Sequence, residues 1–174
     1  MQAPSGRAER PPARGRHGRW DDDGSGVHMR LAVEVGLPVA PAEAWDALVA
    51  WETQAAWMRD ADRVRVESAE RAGVGTMIAV KTRVLNVPLF TERLEVVEWE
   101  PPNRLVMAHR SFIGGTGTWE VQPAGSGSRF RWTEDISLPM PLFGELALAM
   151  YRPVMRRLMS GSMANLRRRI ELGR

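Results

Sequence analysis

The chain has 174 residues, 44% of them hydrophobic and 26% charged, the composition of an ordinary globular protein and long enough for one core that buries about 70% of its unfolded surface. It has no cysteine, which excludes a disulfide scaffold, a thiolate metal site and a cysteine nucleophile, and no apolar run reaches the roughly 18 residues of a membrane span. The net charge is only +3, and Lys81 is the one lysine among 24 basic residues, so the sequence pI near 10.4 reflects a scarcity of groups that titrate above neutrality and not a nucleic-acid footprint.

Residues 1–27 are rich in Arg, Pro, Gly and Ser, broken by Asp21, Asp22 and Asp23. They have no apolar periodicity to offset the entropy of ordering, so they are predicted to form a disordered tail ahead of a domain over 28–174. The tail lacks the apolar stretch of a secretory signal, and its acidic residues do not suit a transit peptide, which predicts a cytoplasmic protein. Met29 opens the first patterned segment and is a second candidate start.

From there Leu31, Val33 and Val35 alternate with polar or small residues, the period of a half-buried strand. Pro41 sits where a helix can begin, and Trp45, Leu48 and Val49 make one apolar stripe that runs on toward Trp51 and Trp57. Six strand-like segments follow: Val64 to Ser68, Thr76 to Val84, Phe90 to Glu100, Arg104 to Arg110, Thr116 to Gln122 and Arg129 to Ile136. The turn signals Pro101-Pro102-Asn103 and Ala124-Gly125-Ser126-Gly127 make these an antiparallel meander. From Phe143 to Glu171 the apolar residues Tyr151, Met155, Leu158, Met159, Leu166 and Ile170 recur at helical spacing. This predicts a helix of roughly 43 Å with a kink imposed by Pro153.

Several pieces in this order resemble one family. They are Val35 followed by Pro41-Ala42-Glu43-Ala44-Trp45, then Gly73-Val74-Gly75-Thr76, then Glu98-Trp99-Glu100-Pro101-Pro102-Asn103-Arg104-Leu105, then Trp119-Glu120-Val121 and Gly127-Ser128-Arg129-Phe130-Arg131-Trp132. Over residues 28–172 the chain is similar to the START-like (SRPBCC) superfamily, in its polyketide cyclase/dehydrase and lipid-transport branch. The resemblance implies an α+β helix-grip fold: a curved seven-stranded antiparallel sheet wrapped around a long C-terminal helix, with short helices after the first strand. It also implies an apolar cavity between sheet and helix that holds a hydrophobic small molecule or lipid.

The candidate chemistry is sparse. His109 is the one histidine inside the patterned strands, on the Leu105 and Met107 face of its segment. Glu134 shares the Phe130, Trp132 and Ile136 face of the last strand, so an imidazole and a carboxylate can enter one cavity, the minimal kit for proton transfer. The structural alternatives are a hydrogen-bonded core histidine, or one at the cavity mouth, and a glutamate paired with an arginine. Alternation leaves open whether Arg83 and Glu92 face inward. The expected cavity lining is Trp57, Met77, Met107, His109, Trp119, Trp132, Met155 and Met159, and the five methionines from Met140 to Met163 suit a ligand of irregular shape. Leu138 to Phe143 reads as either an apolar lid or a plain connector.

No cofactor and no metal are expected. Gly114-Gly115-Thr116-Gly117 lacks the spacing of a dinucleotide fingerprint, and His17 with the aspartates of the tail reads as solvated charge. The basic helix end, Arg156, Arg157 and Arg167 to Arg169, suggests transient membrane-surface contact. A net charge of about +2 over residues 28–174 argues against nucleic acid as a partner. With His109 the one histidine inside the patterned strands and Tyr151 the one tyrosine, the sequence favours a binder or carrier of a hydrophobic small molecule over a polyketide cyclase/aromatase.

Overall fold

The computed structural model describes residues 27–84, 87–111, 113–138 and 144–173. Seven strands and two α-helices account for most of them: β1 (Val27–Leu37), α1 (Pro41–Val49), β2 (Ala61–Val66), β3 (Met77–Val84), β4 (Val87–Glu100), β5 (Arg104–His109), β6 (Gly114–Ala124), β7 (Gly127–Leu138) and α2 (Gly144–Glu171). A turn of 3-10 helix, Trp51–Ala56, follows α1. The predicted strands are all present, most of them extended at their ends. Residues 1–26 of the expected tail and 139–143 of the lid or connector segment, Met140 among them, lie outside the described residues, whereas Val27 opens β1 and Leu138 closes β7.

All seven strands form one antiparallel sheet in the order β1-β7-β6-β5-β4-β3-β2. β2 to β7 are a meander, and β1 returns to the far edge beside β7, with Leu31 opposite Glu134 and Val35 opposite Phe130. Consecutive strands β1 and β2 thus occupy opposite edges, and α1 and the 3-10 turn bridge them. Ala124 pairs with Gly127 across a two-residue turn in which Gly125 has φ +59°, the conformation a tight hairpin demands.

The concave face is set by period-two alternation, with one interruption. On β4, Leu94 and Val96 lie opposite His109 and Met107, but Glu98 lies opposite Val106. Val97 is therefore a bulge residue, 39% exposed. The slip brings Trp99 to the inner face opposite Leu105, where its ring meets Trp45 edge-on at 5.1 Å.

α2 closes the concave side through Leu148, Met159, Met163 and Leu166, all buried at helical spacing. Two polar contacts tie it to the segment before β2. Ser162 Oγ accepts the Arg59 N–H at 2.9 Å, and Asn165 Nδ2 donates to the Trp57 carbonyl at 3.3 Å. Between helix and sheet, Trp45, Trp51, Trp57, Trp99, Trp119 and Trp132 form a continuous cluster with centroids 5.1 to 6.5 Å apart. No described helix is long and apolar enough to cross a membrane. This is the helix-grip arrangement.

Candidate functional site

A cavity of about 140 Å³ lies between α2 and the sheet. It begins where the tryptophan cluster stops. Trp119 and Trp132 form its floor, Ile78, Val80, Leu94 and Met107 line it from the strands, and Met155, Leu158 and Met159 face it from α2. Its most exposed lining residues, Phe90 at 42% and Tyr151 at 37%, rim the opening.

Six of the eight residues expected to line the cavity do so: Met107, His109, Trp119, Trp132, Met155 and Met159. Trp57 and Met77 do not. Trp57 sits one layer deeper, its ring 6.1 Å from Trp119 and 6.4 Å from Trp132. Met77 stands opposite Glu95 and therefore on the other face of β3, while its neighbour Ile78, opposite Leu94, turns inward. A one-residue change of face exchanges the whole set, which is the weakness of reading faces from alternation.

The polar end of the cavity is a three-residue chain. His109 Nδ1 lies 3.3 Å from Glu92 Oε1, and Nε2 lies 3.1 Å from Glu134 Oε2. The other oxygen of Glu134 accepts the Trp132 indole N–H at 2.6 Å. Glu134 therefore pairs with a histidine and an indole, not with an arginine as one alternative had it. Both glutamates are only 6% exposed. Glu92 Oε2 has no hydrogen-bond partner, and among the described lining residues Trp119 Nε1 is likewise buried without one.

Glycine makes this chain sterically possible. His109 and Glu134 belong to β5 and β7, with β6 between them, and the β6 residue opposite Glu134 is Gly117. A Cβ at Gly117 would sit 2.9 Å from Glu134 Oε1, so a side chain there would occupy the space through which the carboxylate reaches His109.

Electrostatically, burial works against a charged imidazole, but the hydrogen bonds and charges of Glu134 and Glu92 outweigh it and push the His109 pKa up from 6.5 to about 9. His109 is thus an imidazolium at neutral pH, donating from both nitrogens. Asp60, at the same end of the cavity, has its carboxyl pushed up by burial and by the charge of Glu134, against a backbone hydrogen bond and Arg83 that favour ionisation. Tyr151 is raised by burial, then by Asp60 and Glu134. Arg83 donates from Nη2 to the Ala61 carbonyl at 3.1 Å and is not among the lining residues.

Asp60 and Tyr151 were missed as site residues, and Glu92 was left open. Glu92 carries the same signal as Glu134, a carboxylate inside an inward-facing apolar series, here Phe90, Leu94 and Val96. Asp60 lies in a connection with no periodicity, so nothing in its neighbours marks it. Among the described residues no group of three or more His, Cys, Asp or Glu could hold a metal ion.

The family model described as "Polyketide cyclase / dehydrase and lipid transport" matches residues 28–171. Among solved structures, a Thermus thermophilus protein is 20% identical with a TM-score of 0.70, over 83% of this chain and 99% of that one. The di-domain ARO/CYC protein StfQ from the steffimycin biosynthetic pathway is 18% identical with a TM-score of 0.67, over 83% of this chain and 51% of that one. The Zhui aromatase/cyclase from a Streptomyces species is 12% identical with a TM-score of 0.65, over 83% of this chain and 94% of that one. At these identities the likeness is one of fold. No curated protein matches the chain.

Proposed function

The chain belongs to the polyketide cyclase / dehydrase and lipid transport family, and we propose that within it this protein binds a hydrophobic small molecule in the cavity between α2 and the sheet. The observation that carries this reading is the cavity itself, about 140 Å³ walled mainly by Ile78, Val80, Leu94, Met107 and Met155. Pockets for small molecules are concave and mostly apolar with a few placed polar groups, and an apolar void of about 150 Å³ is enough for a benzene-sized guest. The part of the ligand held inside is thus about one ring in size, and any longer portion would pass between Phe90 and Tyr151.

The test uses toluene as probe and the methionine methyl groups as reporters. Met107, Met155 and Met159 line the cavity and Met77 does not, so saturable methyl shifts are expected at the first three and not at Met77. Val80→Trp, which fills the cavity, is expected to abolish them. Absence of a saturable shift in the wild type would overturn the reading.

One observation favours an acid–base enzyme instead, namely the buried Glu92–His109–Glu134 chain at the cavity end. A general base needs a free lone pair and a pKa near the working pH. His109 has neither, being held protonated to about 9 with both nitrogens engaged. The two readings separate under His109→Gln. A binder keeps its toluene affinity within about tenfold, whereas an enzyme of this kind keeps binding and loses turnover of a poly-β-ketone by roughly a hundredfold or more.

A further inference from the structure

The polar end of the cavity says more than that a ligand is apolar. Glu92 is 6% exposed, and of its two oxygens one faces His109 Nδ1 while the other, Oε2, meets no donor. Glu134, by contrast, has both oxygens occupied, by His109 and by the Trp132 indole. A buried carboxylate oxygen left without a donor carries its full desolvation penalty, which is larger for a charged group than for a neutral one. Trp119 Nε1, the other unpartnered lining atom, is a neutral indole donor and the lesser of the two.

The charge balance has the same sign. Among the described residues lining the cavity the ionisable acids are Asp60, Glu92 and Glu134, the cation is His109, and no arginine or lysine contributes. Arg83 acts on Asp60 from outside the lining. One imidazolium cannot neutralise two glutamates, so the polar end is left negative beside walls of Ile78, Val80, Leu94 and Met107. An anionic ligand is repelled there, and a purely apolar one leaves Glu92 Oε2 unmet.

We propose that the ligand class is an apolar, ring-sized amine bound as its ammonium, with the N–H donors at Glu92 Oε2 and the ring against the aliphatic and methionine walls. The inference rests on the binding function proposed above and names its ligand chemistry. A charge-assisted hydrogen bond to a carboxylate is about twice as strong as a neutral one, and a buried ammonium is tolerable where such a partner receives it.

The experiment compares benzylamine, benzyl alcohol and toluene on the full-length protein at pH 7, by calorimetry and by the 13C shift of the Glu92 carboxyl. Benzylamine is expected to bind at least about tenfold more tightly than either neutral probe and to move the Glu92 resonance. In E92Q the preference for the amine over toluene is expected to fall to near unity. Benzyl alcohol binding as tightly as benzylamine overturns the cationic assignment. Toluene binding as tightly as benzylamine overturns the whole inference while leaving the proposed function standing. Failure of all three probes to bind overturns both. Should E92Q not fold, the wild-type affinity ratios and the Glu92 shift decide the matter alone.

Discussion

His109 concentrates the electrostatics of the protein in one ring. Its pKa is raised from 6.5 to about 9 in the folded state, so the stability it contributes is fully present below 6.5 and is lost as the pH rises through about 9. The rise corresponds to on the order of 3 kcal/mol. In urea unfolding, the gap between wild type and His109→Gln is expected to be widest near pH 6 and to narrow by that order toward pH 9. A gap independent of pH would show that the imidazolium is not stabilised by its two glutamates. Gly117→Ala tests the same ring from a strand away. Its Cβ would press on the Glu134 oxygen that Trp132 holds at 2.6 Å, loosening the 3.1 Å contact to His109. An NMR titration of His109 is expected to show its pKa lowered by about one unit or more. An unchanged midpoint would mean that the carboxylate reaches His109 by another path.

At the scale of elements, β4 decides which residues meet the core. Val97 is the extra residue opposite β5, and were it paired in a regular ladder instead of bulged out, Trp99 would pass to the outer face and lose its edge-on contact with Trp45 and its packing on Trp51. Deletion of Val97 removes the extra residue and leaves Trp99 opposite Leu105, so it is expected to cost about 1 kcal/mol or less, whereas deletion of both Val97 and Glu98 turns Trp99 outward and is expected to cost about 3 kcal/mol or more. Equal midpoints for the one-residue and the two-residue deletion in urea would show that the register does not set the face of Trp99. α2 carries exposed apolar and basic residues side by side in its first half. Its exposed apolar residues Leu146, Met150 and Val154 lie in the first turns with the exposed Arg152, Arg156 and Arg157 beside them, whereas Arg167, Arg168 and Arg169 lie in the last turns, roughly 25 Å away along the axis.

Over the whole molecule, the elements from Val27 to Glu171 contain every strand pairing of the sheet and the helix it grips. The edges are accounted for within that span, with β1 paired to β7 along its full length and β2 joined to β1 through α1 and the 3-10 turn. A chain shortened to begin at Val27 is expected to keep its melting temperature within about 2 °C, since loss of about 1 kcal/mol would move it by a few degrees. A larger fall would place part of residues 1–26 in the folded domain and shift the boundary.

What the sequence determined by itself is the order and kind of elements. Alternation at Leu31 to Val35 and Arg129 to Ile136, the turn at Ala124 to Gly127, and the helical recurrence from Tyr151 to Ile170 are local patterns, and local patterns follow from backbone geometry that acts over a few residues. His109 and Glu134 were legible for the same reason, each being a polar residue inside an inward-facing apolar series. Glu92 carried that signal too and was left open because the strand faces were open. The tertiary structure decided the rest. It placed Ile78 inward and Met77 outward, put Trp57 beneath the cavity floor, brought Asp60 to the polar end from a segment without periodicity, and left one oxygen of Glu92 unmet. These depend on which strand stands beside which, and on a one-residue bulge in β4, because the pairing register, set only when the sheet assembles, fixes which side chains share a wall.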